Sequence, residues 1–137
     1  MLDTSVLVAG FRSRKGASNA LLRHVVSGTF RPLVTTALFL EYEEVLLRAE
    51  HRLVTGMTEG DVEQALAAFA SAAEPVEVHF RWRPQLADPS DELVLEAAVN
   101  GCADALVTHN VRDFEPASGK FGLAVMTPQQ YLKEIQS

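Results

Sequence analysis

An aspartate at position 3 interrupts an apolar run, Met1-Leu2-Asp3-Thr4-Ser5-Val6-Leu7-Val8-Ala9-Gly10-Phe11. Val6, Leu7 and Val8 have the character of buried strand or strand-edge residues. A buried carboxylate without a partner is costly or shifts its pKa. A metal cation is the most direct partner for such a charge. Two more acids recur in similar surroundings: Glu41 in Leu38-Phe39-Leu40-Glu41-Tyr42, and Asp91 in Ser90-Asp91-Glu92-Leu93-Val94-Leu95. A fourth, Asp113, follows the strand-like Ala105-Leu106-Val107-Thr108. Acids isolated at the ends of apolar segments along the whole chain point to one converging acidic site. Hard oxygen ligands suit Mg²⁺ or Mn²⁺ rather than Zn²⁺. His24, His51, His79 and His109 lack ligand spacing, and only His109 falls near the expected site. Cys102, the single cysteine, reads as a small buried residue rather than a nucleophile.

Each acid also has a plainer reading. Asp3 could be a polar strand end or a helix cap, although an aspartate inside an apolar run is uncommon. The hydroxyls of Thr4 and Ser5 stand ready to bond it. Glu41 could be an exposed helix glutamate. Glu44 is better explained by pairing with Arg48 four residues on, and Glu43 by solvation. Asp91 falls in a first helical turn, where the helix dipole alone favours a carboxylate. Asp88 reads as a cap to that helix, within reach of a cation through water. Asp104 precedes a strand and belongs to the opposite end of the sheet. Thr108 is placed to position a water or a phosphate.

The elements that would position these groups alternate between short apolar strands and longer helices. Leu2 to Val8 reads as a first strand and its exit, and Arg12 to Gly16 as a basic loop. Ala17 to Ser27 reads as a helix with Gly28 as its stop. Arg31 to Val34 is a short strand. Thr35 or Thr36 caps a helix to about Ala49. Thr58 and Asp61 form a capping-box pattern before a helix to about Ala73. Pro75 to Phe80 alternates as a strand. Asp88-Pro89-Ser90-Asp91 starts a helix that runs to Asn100, with Gly101 as the stop. Ala105 to Thr108 and Leu123 to Met126 are strands, and Thr127-Pro128 opens a last helix ending near Ile135. Such alternation implies an α/β fold: a central twisted parallel sheet of about four to five strands, flanked by helices on both faces. Ligands then bind beyond the carboxyl ends of the strands, where Asp3 and Thr108 fall.

A chain of 137 residues fits a single domain spanning 1–137. At 47% hydrophobic residues it has enough apolar material to fold. There is no run of membrane-spanning length and no basic lead before the first apolar stretch, so the expectation is a cytoplasmic protein without membrane contact. A net charge of -6 argues against gripping nucleic acid by bulk electrostatics. It is compatible with binding through metal ions, because acids that hold a cation are partly neutralised. The basic residues cluster locally: Arg12, Arg14 and Lys15 together, and Arg48, His51 and Arg52 together.

Four segments, taken in order, resemble the PIN-domain family. They are Leu2-Asp3-Thr4-Ser5-Val6-Leu7-Val8, Leu40 to Arg48, Asp88 to Ala98, and Leu106-Val107-Thr108-His109-Asn110-Val111-Arg112-Asp113-Phe114. The likeness is greatest to stand-alone prokaryotic members described as toxin components of toxin–antitoxin pairs, and it covers nearly the whole chain. It implies a Mg²⁺- or Mn²⁺-dependent endoribonuclease that hydrolyses single-stranded RNA and leaves a 5′-phosphate. Asp3, Glu41, Asp91 and Asp113 would then be both catalytic residues and metal ligands. Thr4, Ser5, Asp88, Thr108 and Asn110 would support them, and Arg12, Arg14 and Lys15 would contact RNA. It also implies a homodimer and an antitoxin partner that inserts a basic residue among the acids. Many relatives carry an acid two residues after the strand-end threonine. Here that position is Asn110, which can ligate through its carbonyl oxygen but brings no charge, so Asp113 is taken as the fourth acid. Only two residues precede Asp3, a short lead-in for a central strand.

Two other classes compete. A PIN-fold module that binds RNA or protein without catalysis is favoured by Asn110. Phosphotransfer or phosphatase α/β domains are disfavoured. A receiver domain needs paired early acids and a lysine after a late strand, and no lysine lies between Lys15 and Lys120. A haloacid-dehalogenase-like phosphatase needs an acid at the position held by Ser5.

Overall fold

The computed structural model describes residues 1–79, 86 and 88–136. Its elements in chain order are α1 (Thr4–Arg12), α2 (Ala17–Val26), β1 (Leu33–Val34), α3 (Thr36–Leu46), α4 (Ala49–Thr55), α5 (Glu59–Ala72), β2 (Glu74–Pro75), α6 (Pro89–Asn100), β3 (Leu106–Val107), α7 (Val111–Phe121), β4 (Val125–Met126) and α8 (Pro128–Gln136). The class is α/β, with helices dominant and every strand pairing among the described residues parallel.

The expected sheet of about four to five strands takes a more modest form. Among the described residues it consists of two parallel ladders, β1 with β2 and β3 with β4. Leu2 adds a single bridge to Val107 on the other side of β3. That bridge is held by Asp3 N–H donating to the Val107 carbonyl (2.9 Å) and Val107 N–H donating to the Met1 carbonyl (2.9 Å). The outward carbonyl of Leu2 accepts from the buried Tyr42 hydroxyl of α3. A side chain thus does there what a neighbouring strand would do in a wider sheet.

Val6, Leu7 and Val8 belong to α1, not to the expected strand. Asp3 has the extended backbone of an N-cap, and its carbonyl accepts from Val6 N–H (2.9 Å). Val6, Leu7 and Gly10 form the buried face, a helical spacing that overrides β-propensity through packing. Gly10 is required for a close approach: a Cβ there would collide with Leu22 of α2. Asn19 Nδ2 donates to the Gly10 carbonyl (2.9 Å) and pins the same crossing.

Helix α4 has no counterpart in the sequence reading, and the helix expected from Thr36 to about Ala49 is α3 alone. It stops at Leu46, Arg48 is extended, and α4 follows to the left-handed Gly56. Thr35 caps α3 through its side chain, and Thr58 and Asp61 complete a reciprocal capping box on α5. The strand expected over Pro75 to Phe80 is confined to Glu74–Pro75; Phe80 lies outside the described residues. Helix α7 has no counterpart in the sequence reading.

Helix α6 ends in a Schellman motif. Cys102 N–H donates to the Val99 carbonyl and Ala103 N–H to the Ala98 carbonyl. Its left-handed residue is Cys102, with φ 51°, not Gly101. Gly101 serves for space, since a Cβ would meet Leu33, Val76 and the Ala97 carbonyl at 2.8–3.0 Å. Cys102 is exposed, contrary to the buried reading, because the left-handed turn carries it off the helix.

The core includes Leu2, Leu7, Leu21, Leu38, Tyr42, Leu66, Val94, Leu106, Val107 and Phe114. Helix α3 packs against α1, α5 and α6. This arrangement carries Glu41, on the rim of the buried α3 face, toward the first turns of α1 and α6. No helix among the described residues is long and apolar enough to cross a membrane.

Candidate metal-binding acidic site

Asp3 and Thr108 lie side by side at the carboxyl ends of the bridged segment and β3. Asp3 is 5% exposed and Thr108 is fully buried. Asp3 Oδ2 accepts from Thr108 Oγ1 (2.6 Å) and from Ser5 Oγ (2.8 Å). Both bonds point a hydroxyl at one oxygen of a charged group, the stronger kind of hydrogen bond. Thr108 Oγ1 accepts in turn from Asn110 N–H (3.0 Å), and Ser5 Oγ from His109 N–H (3.3 Å). The turn after β3 is therefore tied to the Asp3 carboxylate through two hydroxyls.

The other acids approach from three helices. Glu41 is half-buried on α3, Asp91 is half-buried in the first turn of α6, and Asp113 is exposed in the first turn of α7. The Asp88 carbonyl accepts from the N–H groups of Asp91 and Glu92 (3.1 and 3.2 Å), as a residue at the helix start should. The carboxyl of Asp91 is pushed up to about 6, first by desolvation and then by the charges of Asp3, Asp88, Asp113 and Glu41. All five carboxylates thus share one electrostatic neighbourhood. None of the ion pairs among the described residues involves Asp3, Glu41, Asp91 or Asp113.

A cation is what this neighbourhood calls for. The donors are oxygens only, one of them a buried carboxylate with hydroxyl partners, and a neighbour holds its proton to an unusually high pH because of burial and then of the surrounding carboxylates. That set fits a hard divalent ion. As placed, no three His, Cys, Asp or Glu side chains among the described residues stand close enough to hold one ion between them.

The remaining candidates divide. Thr4, Ser5, Arg12 and Asn110 line one cavity of about 560 Å³. Lys15 lines a second, of about 600 Å³, and Arg14 lines neither. Asn110 is the N-cap of α7 but makes no side-chain capping bond, and it is exposed. Asp104 acts on the amino group of Met1 and on Tyr131, at the opposite end of β3. Glu44 pairs with Arg48 (3.4 Å).

Sequence reasoning missed three groups. Tyr42, apolar by pattern, donates to the Leu2 carbonyl. Glu92, 4% exposed, accepts from Leu86 N–H (2.7 Å) and fixes the chain entering α6. Ser18, 4% exposed, bonds His109 Nε2 (2.8 Å) across 91 residues of sequence. Tyr42 next to Glu41 was a readable hint. No local signal announces the Ser18–His109 pair.

No curated protein and no solved structure matches this chain. A family model described as PIN domain matches residues 1–112, a span that includes Asn110 and stops one residue short of Asp113.

Proposed function

Because the chain belongs to the PIN-domain family, whose members are generally nucleases, we propose that it is a metal-dependent endoribonuclease acting on single-stranded RNA. The whole chain, 1–137, acts as one domain in this reading. The carrying observation is the Asp91 carboxyl, raised to about 6 by burial and four neighbouring carboxylates. Asp3, Glu41, Asp91 and Asp113 hold Mg²⁺ or Mn²⁺, with Asp88 and Asn110 at the margin. A divalent cation bound there acidifies a water and offsets negative charge on the phosphate.

The chain's own groups have distinct tasks. Thr108 and Ser5 fix Asp3 by bonding one oxygen, Oδ2, and leave Oδ1 unbonded among the described residues. Thr4 and Asn110 line the adjoining cavity and contact the phosphate or its water. Arg12 and Lys15, which line the adjoining cavities, contribute phosphate contacts beyond the acids, and Arg14, outside both, adds loop charge without a groove contact. In the net reaction water adds to phosphorus and the P–O3′ bond breaks. One product carries a 5′-phosphate, and the proton lost by water ends on the departing 3′ oxygen. The role we assign is the toxin of a toxin–antitoxin pair, as a cytoplasmic homodimer held silent by a partner with a basic segment. The net charge of -6 suits such a partner.

The test is cleavage of end-labelled single-stranded RNAs with Mn²⁺ or Mg²⁺, beside Asp3→Asn. The parent should cut and leave 5′-phosphates, and the folded variant should not. A folded Asp3→Asn protein that cuts at the parental rate would sink the reading. The second reading, a PIN-fold binding module without catalysis, rests on Asn110 and on the unassembled ligand shell. A parent that binds RNA yet never cuts it, and gains cleavage on Asn110→Asp, would support that reading.

A further inference from the structure

The two cavities beside the acids are adjoining parts of one surface. Ala9, Ser13 and His109 line both. The first opens at Ser5 and Asn110, the rim of the acidic site, and follows α1 past Val8 to Arg12. The second continues past Lys15 and Gly16 into the cleft between the start of α2 and the start of α8, where Thr127 and Pro128 form the far wall. His109 stands at the junction. It is exposed, and its ring is held by the Nε2 bond to the buried Ser18. Its backbone N–H is tied to Ser5, so one residue joins the groove to the hydroxyl that holds Asp3.

We propose that this groove is the track for the RNA strand flanking the scissile phosphate, and that His109 is a binding residue on which a base of that strand stacks. The proposal rests on the nuclease reading and adds the path and a contact to it. Charge and continuity identify the occupant. In a chain of net charge -6, the groove leading away from the acids is lined by Arg12 and Lys15 and, among its lining residues, by no carboxylate. A polyanion attached to a phosphate at the acids would therefore meet cations as it leaves them. A flat aromatic ring, anchored at one nitrogen and exposed, suits stacking with a base, which is how single strands are held with little sequence demand. The anchor matters because an immobilised ring loses less freedom when a base lands on it.

Binding can be measured apart from cleavage. Anisotropy of a fluorescein-labelled single-stranded RNA is followed with the full chain in EDTA, across a salt series. His109→Ala should weaken binding about 5- to 150-fold, the range typical of one lost stack, while His109→Phe restores most of it. Ser18→Ala should lie between parent and His109→Ala. Lys15→Ala and Arg12→Ala should each lower the slope of log K against log salt by about 0.7, the value for one phosphate on a single strand. Arg14→Ala, outside both cavities, should change it less. Circular dichroism confirms that each variant is folded.

A folded parent that binds no single-stranded RNA overturns the groove. So does unchanged affinity in His109→Ala, or an Arg14→Ala effect equal to that of Lys15→Ala, which would mark loop charge alone. Cleavage with Mn²⁺ is scored separately. Groove-dependent binding without cleavage would fail the nuclease reading while upholding the groove, and cleavage with His109-independent binding would do the reverse.

Discussion

Replacing Thr108 with valine keeps the shape of a fully buried side chain and deletes one oxygen. In the parent that oxygen donates to Asp3 Oδ2 at 2.6 Å and accepts from Asn110 N–H at 3.0 Å. A hydrogen bond to a charged group contributes about 1.5–3 kcal/mol, and a neutral one about 0.5–1.5 kcal/mol. The extra buried methyl returns up to about 1 kcal/mol. The net expectation is a loss of about 2–3 kcal/mol for Thr108→Val. Thr108→Ser retains both bonds and loses one buried methyl, for about 1 kcal/mol. The order of stability is therefore parent, then serine, then valine. An account based on burial alone puts valine first and serine last, because valine is the most apolar of the three. Urea unfolding at neutral pH without metal, fitted with a common slope, reads the order directly. A valine variant as stable as the parent, with serine below both, would refute the claim that Thr108 holds the Asp3 carboxylate in place.

Four further outcomes follow from the same geometry. Asp3→Asn should lower the Asp91 carboxyl from about 6 toward the ordinary aspartate range, since the Asp3 charge is the largest Coulombic cause of the rise; carboxyl-carbon NMR titration checks it, and an unmoved Asp91 contradicts it. Because Asp91 is raised in the folded state, the folded protein holds more protons than the unfolded one between about pH 4 and 6. The metal-free protein should thus be most favoured by this group below about pH 4 and lose that contribution as pH rises through 6, while Mn²⁺ affinity should fall on acidification below 6; melts and isothermal titration across that window test both signs. Tyr42→Phe leaves the Leu2 carbonyl unsatisfied in the core, for a loss of about 1–3 kcal/mol, and an unchanged urea midpoint would count against the edge-sealing role. Cys102→Gly should stabilise by about 0.5–1 kcal/mol, since glycine enters the left-handed region freely, and a lower melting temperature would mean the thiol makes a contact worth more than the strain.

The candidate acids were readable because they break apolar patterns. Asp3, Asp91 and Thr108 announce themselves in this way, and the caps at Thr35 and Thr58 obey local hydrogen-bond rules that need no tertiary context. The helix over Thr4–Arg12 was misread because Val6 and Val8 carry β-propensity, and only the crossing of α1 with Gly10 against Leu22 decides their state. Helix α7 was missed because its buried face is just Phe114 and Ala117, too sparse for a period to show. The break at Arg48 follows no breaker residue. Ser18 and His109 lie 91 residues apart, and no pattern in one strand or helix can pair them. The width of the sheet was overestimated because apolar tetrapeptides such as Ala105 to Thr108 contribute only two ladder residues each, the rest serving as exits to helices.

The bond from Thr108 to Asp3 closes a loop of 105 residues. At a ribosomal rate of about 5–20 residues per second, Asp3 and Ser5 emerge about 5–20 s before the Thr108 hydroxyl exists. During that interval the opening segment has neither its bridge to β3 nor its ladder carbonyl. A late long-range closure is thus the one that sets the first acid in place, and a chain arrested before β3 should lack the acidic cluster however well α2 to α5 have packed. The cluster is then a property only of a chain completed through β3, and any activity that depends on it cannot begin earlier in synthesis.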